Sequence, residues 1–296
     1  MSPKVSIVIP TYRRLELLER ALKSVLRQTF VDFEVLVVDD NGIDHPSQLA
    51  VEQMIKGIND DRFRYLPNDD SLGGGAARNV GIQHAEGKYI AFLDDDEDWL
   101  PEKLSKQVAL MDKSSEEFAV IDTGFYDTKN ESNYKITLPQ MSGWILNDLL
   151  GKTVYRAPKL STMLCRKSAL VDVGMFDVNL PARQDLDLYI RLARKYQFKS
   201  IYEPLAYKRH DADSRISKNP ANRIKGYEIL YEKIKQDLKQ NPTWHANYIM
   251  NYADLLVRDK RFDDAANAYL KSIKITPWHF SSVIRGFYHF IKMKLK

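Results

Sequence analysis

The chain has 296 residues, of which 44% are hydrophobic and 28% are charged. This balance is typical of a globular protein and excludes disordered, collagen-like and disulfide-scaffold chains. A net charge of +4 is too small to indicate nucleic-acid binding, and we expect no nucleic acid among the partners.

The first half alternates short β-branched runs with helical patterns. Strands are predicted at 5–9, 34–38, 63–66 and 89–93, with helices at 14–28, 45–58 and 76–85 between them. Runs such as VSIVI and EVLVV are apolar at successive positions, as in parallel strands that are covered on both faces. Right-handed crossovers then predict an α/β fold with a doubly wound, mainly parallel sheet.

The second half is less regular. It contains predicted strands at 119–122, 199–201 and 205–208, a polar excursion at 126–135 and a helix at 185–196. We expect a first domain at 1–215, made of one half at 1–123 and another at 124–215.

After Pro220 the pattern becomes wholly helical. Phe262, Ala265, Tyr269 and Pro277 fit the later positions of a tetratricopeptide-type hairpin. Because such arrays need about three repeats for stability, we expect residues 216–296 to pack on the main domain as a helical extension.

The end of the chain has a basic amphipathic pattern. Apolar residues recur there at helical spacing among basic ones, at Phe280, Val283, Ile284, Phe287, Phe290 and Ile291. Such a helix could lie on an anionic membrane, or it could pack on the core and expose a basic face. The pattern alone leaves both interpretations open.

Cysteine content and hydropathy indicate the compartment. The single cysteine, Cys165, has no partner for a disulfide or a cysteine-based zinc site, and we expect it to be buried. No apolar stretch approaches the roughly 18 residues that span a bilayer, and the start MSPKVSIVIP is too short for a signal-peptide core. These features predict a cytoplasmic protein.

Small and polar residues follow every predicted strand of the first half. In open parallel sheets, ligands bind beyond the carboxyl ends of the strands. The residues there are Pro10, Thr11 and Tyr12, then Asp39 and Asp40, then 68–75, and finally the acidic run 94–98. We expect these four strand ends to converge on one crevice.

The acidic run 94–98 is a candidate metal site. Adjacent carboxylates repel one another unless a cation or a hydrogen-bond network compensates them. Mg²⁺ and Mn²⁺ favour oxygen ligands and usually take one or two carboxylates with phosphate oxygens, which a D-x-D arrangement supplies. The alternative is a solvated acidic loop, but the apolar strand YIAFL before the run favours a functional role.

Two further strand ends offer groups for a nucleotide. Asp39 could accept a hydrogen bond from a base imide, or it could belong to a turn-forming Asp-Asp-Asn-Gly cluster. The stretch from Gly73 to Asn79 combines closely approachable backbone with the cation of Arg78, which suits a diphosphate. It is neither a dinucleotide fingerprint nor a P-loop, which disfavours a dehydrogenase or an NTPase.

Asp185 begins a predicted amphipathic helix. Its carboxylate could stabilise the helix dipole, or it could act as a general base. The residue pattern by itself favours the first interpretation.

Five ordered blocks resemble glycosyltransferase family 2, the nucleotide-sugar enzymes of the GT-A fold. They are VSIVIPTYRR, EVLVVDDN, GGGAARNVGI, KYIAFLDDDEDWLPEKL and VGMFDVNLPARQDLDLYIRLARKY, within residues 4–210. The resemblance implies that 1–123 binds a nucleotide sugar and that 124–215 binds an acceptor.

The resemblance also implies roles for individual residues. The nucleotide sugar would be bound by Pro10, Thr11, Tyr12, Arg14, Asp39, Gly73, Arg78, Asp94 and Asp95. Asp94 and Asp96 would form the D-x-D element, with Asp96 as the direct ligand of Mn²⁺ or Mg²⁺. Asp185 would be the catalytic base of an inverting transfer.

Three further positions carry weaker implications. Gln184 stands where the family commonly has Glu, and together with Trp99 it is expected on the acceptor side. His210 resembles a position that approaches the metal in some relatives, although a lone histidine after a strand is more often structural.

The implied function is the transfer of a sugar from a nucleotide-diphosphate sugar, with uridine as the expected base, to a hydroxyl of a glycan or lipid-linked acceptor. Surface polysaccharide or cell-envelope synthesis would suit a protein peripheral to the inner face of the cytoplasmic membrane. One alternative is a GT-A scaffold whose site has decayed and which binds glycans or proteins. The other is a sugar nucleotidyltransferase, although VSIVIPTYRR lacks the glycine-rich basic segment usual near the N-terminus of such enzymes.

Overall fold

A computed structural model describes residues 2–130, 133–151, 157–210, 219–277 and 284. The chain divides into two compact units. The sheet unit comprises residues 1–146, 155–178 and 188–213, and the helical unit comprises 147–154, 179–187 and 214–296. The predicted boundary at 215 lies outside the described residues, and two earlier segments group with the C-terminal helices.

The sheet unit contains a nine-stranded sheet. Its strands are β1 (Val5–Thr11), β2 (Phe33–Asp39), β3 (Phe63–Pro67), β4 (Tyr89–Phe92), β5 (Glu97–Trp99), β6 (Phe118–Asn130), β7 (Asn133–Thr137), β8 (Leu164–Arg166) and β9 (Gln197–Arg209). Its helices are α1 (Leu15–Leu26), α2 (Pro46–Ile58), α3 (Gly74–His84), α4 (Lys103–Asp112) and α6 (Lys167–Asp172). Helices α5 (Leu146–Gly151) and α7 (Gln184–Ala193) have residues in both units.

The strand order is β3-β2-β1-β4-β8-β6-β9-β5, and β7 pairs with β6. The first four strands are mutually parallel, with Thr11 opposite Asp39 and Asp39 opposite Pro67. Their carboxyl ends therefore lie side by side, as the sequence predicted. The other half of the sheet is mixed, because β8 runs antiparallel to both β4 and β6.

The core explains why the apolar runs form central strands. Every residue of VSIVI and of FEVLVVD is buried, so both faces of β1 and β2 are covered. Helix α1 covers one face with Leu18, Leu22 and Val25, which recur at the spacing of one helical stripe. The predicted burial of Cys165 is confirmed, and burial raises the pKa of its thiol to about 12.

The second half contains more strand than the sequence predicted. Within the polar excursion predicted at 126–135, residues 126–130 end β6 and residues 133–135 begin β7, and Tyr126 packs edge-on against Tyr134 with ring centroids 5.0 Å apart. The two short strands expected at 199–201 and 205–208 are one strand, β9. In both places, pairing with a neighbouring strand satisfies backbone groups that sequence periodicity does not reveal.

The helical unit contains α8 (Pro220–Lys239), α9 (Pro242–Arg258) and α10 (Phe262–Ile275). The side chains of Asn219 and Asn241 cap α8 and α9, and a proline follows each of them. In the predicted repeat, Ala265 and Tyr269 are buried, whereas Phe262 is 39% exposed.

The basic terminal helix predicted over 278–296 lies outside the described residues except for Ile284, which is exposed. Of the helices that the structure describes, none has the length and apolar character needed to cross a bilayer.

Candidate active site

Three carboxylates gather where β4 ends and β5 begins. Asp94, Asp96 and Glu97 each present an oxygen within 4.8 Å of the others. Asp96 is buried, and Asp94 and Glu97 are half-buried. Burial, followed by the negative charge of Asp94, raises the pKa of Glu97 to about 8. Such a set of oxygen donors fits a hard divalent cation, whose charge would offset the repulsion among them.

Ser161 supports this cluster from a distant part of the sequence. Its hydroxyl accepts a hydrogen bond from the backbone N–H of Asp94 at 3.0 Å and also donates to Glu97. Its carbonyl accepts a hydrogen bond from Trp99 Nε1 at 2.7 Å. The buried Ser161 therefore links the start of the acidic run to the β5 strand that follows it.

Asp95 has a different environment from its neighbours. One of its oxygens accepts from Thr11 Oγ1 at 3.0 Å, and the other accepts from Arg14 Nη1 at 3.1 Å. Arg14 also lies 3.6 Å from Asp96 Oδ2. Burial raises the pKa of Asp95 to about 6. The contacts of Asp95 thus join β1 and α1 to the acidic run.

Trp99 requires a correction. It was expected on the acceptor side, but its side chain is 2% exposed and belongs to the hydrophobic core. The ammonium of Lys103 lies 4.0 Å from the centroid of its ring. Trp99 therefore supports the acidic run through Ser161 and does not offer an open surface to a ligand.

The end of β2 carries two buried carboxylates with separate tasks. Asp39 Oδ1 accepts from the backbone of Asn41 at 2.9 Å, and Asp39 Oδ2 accepts from the Tyr65 hydroxyl at 2.8 Å. Asp40 accepts from the backbone N–H groups of Leu72 and Gly73, each at 2.8 Å. Asp40 therefore holds the glycine-rich loop in place, and the assignment of Asp39 to the nucleoside stays a prediction.

This loop leads into α3 and brings a cation to the acidic run. Gly73 has a φ of +85°, a conformation that favours glycine, and it precedes the first residue of α3. One turn into the helix, Arg78 forms an ion pair with Asp94 and donates to the carbonyl of Gly74 at 3.1 Å. The structure thus brings the predicted diphosphate-binding cation directly against the first residue of the D-x-D element.

The remaining residues of the β1 end follow the prediction in position. Pro10 and Thr11 are the last two residues of β1, and the half-buried Tyr12 follows them. The guanidinium of Arg13 lies 4.9 Å from the centroid of the Tyr12 ring. Their assignment to the nucleotide sugar stays a prediction.

Asp185 lies in the first turn of α7 and is exposed. The side-chain amide of the preceding Gln184 donates to the carbonyl of Leu180 at 2.7 Å. Two residues later, the buried Asp187 forms an ion pair with Lys233. Because Asp185 is exposed, its carboxylate is accessible, as a general base must be. Its assignment as the catalytic base stays a prediction.

Among the described residues, the cluster of possible metal ligands consists of Asp94, Asp96 and Glu97 and does not include His210. Its Nε2 instead contacts Asp127 Oδ1, and Lys208 lies 3.6 Å from the other oxygen of the same carboxylate. We therefore regard pairing with Asp127 as the role that the structure supports for His210, and its metal assignment stays a prediction.

Sequence reasoning included Glu97 in the acidic run but not among the individual metal ligands, and it missed Ser161 altogether. The run Asp-Asp-Asp-Glu made Glu97 visible as a carboxylate, but its place beside Asp94 and Asp96 depends on the turn into β5. No local signal marked Ser161, which lies 67 residues from Asp94 in the chain.

Comparison with known sequences identifies relatives. The sequence model of Glycosyl transferase family 2 matches residues 6–177. The Escherichia coli UDP-Glc:alpha-D-GlcNAc-diphosphoundecaprenol beta-1,3-glucosyltransferase WfgD is 27% identical over 263 residues, which are 88% of this chain and 96% of that protein. Two longer glycosyltransferases of Rickettsia are 30% identical over 203 residues, and the match covers 32% of their length.

Solved structures share the fold. S. aureus TarS 1-349 in complex with UDP-GlcNAc aligns at a TM-score of 0.62 and 17% identity, over 92% of this chain and 91% of that one. Mannosyltransferase PcManGT from Pyrobaculum calidifontis, in complex with GDP-Man and Mn²⁺, aligns at a TM-score of 0.59 and 17% identity, over 93% and 76% of the two chains. These likenesses confirm the predicted α/β fold of GT-A type. Since the family model also spans more than half of the chain, this protein belongs to glycosyl transferase family 2 and is a glycosyltransferase.

Proposed function

We propose that this enzyme is a divalent-metal-dependent, inverting glycosyltransferase that takes its sugar from a UDP-sugar. The observation that carries the proposal is the gathering of Asp94, Asp96 and Glu97 at the end of a central parallel strand, with Arg78 paired to the first of them. A carboxylate cluster beside a cation is what a metal-bound diphosphate needs, because the metal and the cation share its negative charge.

The donor class is supported by the names of similar proteins. TarS has been solved with UDP-GlcNAc, PcManGT with GDP-Man and Mn²⁺, and the name of WfgD gives UDP-Glc as its donor. We propose that Thr11, Tyr12 and Asp39 bind the nucleoside. Asp39 is buried, and the hydrogen bonds from Asn41 and Tyr65 fix the orientation of its carboxylate. A base N–H would take the lone pair that these bonds leave.

We assign the cation to Asp96, with Asp94 and Glu97 as further ligands. When bound, Mn²⁺ or Mg²⁺ would supply positive charge that stabilises the departing nucleoside diphosphate. Arg78, which pairs with Asp94, would add a second positive charge. Arg14 would keep Asp95 turned toward β1, so that Asp95 supports the donor site without adding a fourth carboxylate to the cluster.

We propose Asp185 as the general base. Its carboxylate would take the proton of the acceptor hydroxyl while that oxygen attacks the anomeric carbon from the face opposite the leaving diphosphate. One displacement of this kind inverts the configuration at the anomeric carbon and needs no covalent nucleophile. Gln184, whose amide is turned back to Leu180, would lie next to the acceptor.

For the acceptor, we propose a glycan or a lipid-linked sugar in polysaccharide or cell-envelope synthesis. The support is the name of WfgD, which gives a diphosphoundecaprenol-linked sugar as its substrate. The basic amphipathic pattern at 278–296 would suit contact with an anionic membrane that carries such an acceptor.

The proposal can be tested with a panel of UDP-, GDP- and dTDP-sugars, with and without Mn²⁺. We expect one UDP-sugar to raise the melting temperature only with metal, and slow hydrolysis of that sugar to be detectable. Asp96→Ala should abolish the metal-dependent stabilisation, whereas Asp185→Asn should retain it and lower hydrolysis by about 100-fold or more. Asp61→Ala, at an exposed carboxylate outside the cluster, is the matched control and should behave as the parent protein.

Two results would contradict the proposal. If no nucleotide sugar stabilises the protein with metal present, the chain is a scaffold without donor chemistry. If the metal-dependent stabilisation survives in Asp96→Ala, the cation lies elsewhere.

A further inference from the structure

The segment that carries Asp185 belongs to the helical unit. Residues 179–187 group with α8, α9 and α10, although the rest of α7 groups with the sheet unit. Three separate contacts within the helical unit hold this segment: one to its backbone, one to the side chain of Arg183 and one to the side chain of Asp187.

The first contact is a close approach of two backbones. A Cβ added at Gly226 of α8 would lie 2.6 Å from the carbonyl oxygen of Ala182. A real Cβ does not approach a backbone atom so closely, so only glycine allows α8 to pack this tightly against the segment. The contact lies three residues before Asp185.

The second contact restrains a residue with an unusual backbone. Arg183 has a φ of +66°, in the left-handed region that side chains rarely adopt. Its guanidinium lies 3.9 Å from the centroid of the Tyr227 ring on α8. Because strained conformations persist only where surrounding contacts hold them, this packing explains how the chain keeps its turn into α7.

The third contact is an ion pair on the first turn of α7. Asp187, whose side chain is 3% exposed, pairs with Lys233 of α8. Helix α8 is in turn tied to α9, because Tyr227 and Tyr248 each donate their hydroxyl to the other's backbone carbonyl, at 3.2 and 3.0 Å. A buried carboxylate with a lysine partner has one preferred orientation, which sets the rotation of the helical turn on which Asp185 lies.

We propose that the C-terminal helices form part of the catalytic apparatus by positioning the general base. Gly226, Tyr227 and Lys233 are positioning residues that act on transfer through Asp185. This inference rests on the proposed role of Asp185, and it assigns to the helical extension a function that its repeat-like sequence does not indicate.

The physical argument is one of distance and orientation. A base must lie within hydrogen-bonding reach of the proton that it accepts, and a displacement of about 1 Å can lower a rate by about 100-fold. Loosening the first turn of α7 should therefore lower kcat. Donor affinity should be unaffected, since the proposed donor residues are at the ends of β1, β2 and β4 and at the start of α3, all of which belong to the sheet unit.

Lys233→Met and Lys235→Met form a matched pair for the test. Both lysines lie on α8 and both pair with a carboxylate, but Lys235 pairs with Glu232 of its own helix. With the UDP-sugar identified in the panel and Mn²⁺, we expect Lys233→Met to lower kcat for hydrolysis about 10-fold with an unchanged donor KM. Lys235→Met should match the parent protein, and Lys233→Arg, which keeps the charge, should recover most of the rate.

A second pair tests the backbone contact. Gly226→Ala should lower kcat in the same way, whereas Gly57→Ala, in helix α2 with nothing within 4 Å of the added Cβ, should not. Hydrogen exchange measured by mass spectrometry gives a readout without substrate. Peptides that cover residues 183–190 should exchange faster in Lys233→Met than in Lys235→Met, because the first turn of α7 is loosened.

The outcomes separate this inference from the proposed function. If Asp185→Asn leaves hydrolysis intact, the base assignment fails and the positioning role falls with it. If Asp185→Asn abolishes hydrolysis while Lys233→Met and Gly226→Ala retain the parent kcat and exchange rates, the base stands and the positioning role is overturned.

Discussion

Lys103 is a buried cation whose removal should stabilise the protein. Its side chain is fully buried, its ammonium donates to Gln107 Oε1 at 2.7 Å, and it lies over the ring of Trp99. Neither partner is negatively charged, so burial dominates and lowers the pKa of Lys103 from 10.5 to about 7. Each pKa unit corresponds to about 1.4 kcal/mol. At a pH where Lys103 is protonated in both the folded and the unfolded chain, its burial therefore lowers the free energy of unfolding by about 5 kcal/mol.

The sign of the pH dependence follows from proton binding. Between pH 7 and 10.5 the unfolded chain holds a proton on Lys103 that the folded chain has released. The free energy of unfolding should therefore rise by about 1.4 kcal/mol per pH unit in this window. The destabilisation is complete below pH 7 and disappears as the pH approaches 10.5.

Lys103→Met keeps the length of the side chain and removes the charge. It also leaves Gln107 Oε1 without its donor, which costs about 1–3 kcal/mol. We therefore expect a net gain of about 2–4 kcal/mol at pH 6, which should shrink to about zero near pH 9. Urea unfolding followed by tryptophan fluorescence at pH 6, 7.5 and 9 measures this.

The matched control is Lys106→Met on the same helix. Lys106 pairs with Glu203 at the surface, so its removal should change the free energy of unfolding by less than about 1 kcal/mol. A Lys103→Met variant that is less stable than the parent at pH 6, or whose difference from the parent does not change with pH, would refute the reasoning.

Two further predictions follow from buried carboxylates. Burial raises the pKa of Asp122 to about 7, so the contribution of Asp122 to the free energy of unfolding should fall as the pH rises from 4 to 7. Asp122→Asn should be more stable by up to about 4 kcal/mol at pH 8 and equal to the parent near pH 4, as measured by urea unfolding; an opposite trend would contradict the assignment. Asp40→Ala removes the acceptor of the Leu72 and Gly73 N–H groups, and it should weaken UDP-sugar binding about 10-fold or more in calorimetric titrations because the glycine-rich loop is released. Unchanged affinity in Asp40→Ala would show that this loop does not contribute to donor binding.

Much of the donor half could be predicted from local sequence. Runs such as VSIVI are apolar at all but one position, and such runs form strands only when both faces are covered. The parallel arrangement then places the residues that follow each strand at one edge. For this reason Thr11, Asp39 and the acidic run at 94–98 could be recognised as neighbours before any contact was known.

Side-chain partners were decided by the tertiary structure. The three adjacent residues Asp94, Asp95 and Asp96 have the same side chain, yet Asp95 contacts Thr11 and Arg14 while the other two lie beside Glu97. Likewise, the family resemblance implied that Trp99 lies on the acceptor side, but its ring fills the core. A sequence pattern shows which residues share a helix or a strand. It does not show which side chains from other helices and strands contact them.

The second half of the chain depends most on such distant partners. Residues 126–135 carry no strong strand pattern, and 126–130 and 133–135 become strands because β6 pairs with both β7 and β9. The turn before Asp185 has a backbone conformation that its own residues disfavour, and Tyr227, 44 positions later than Arg183, packs on it. Hydrophobic periodicity acts over a few residues and could be read from the sequence, whereas strand pairing, ion pairs and close backbone contacts join distant segments and exist only once the chain has folded.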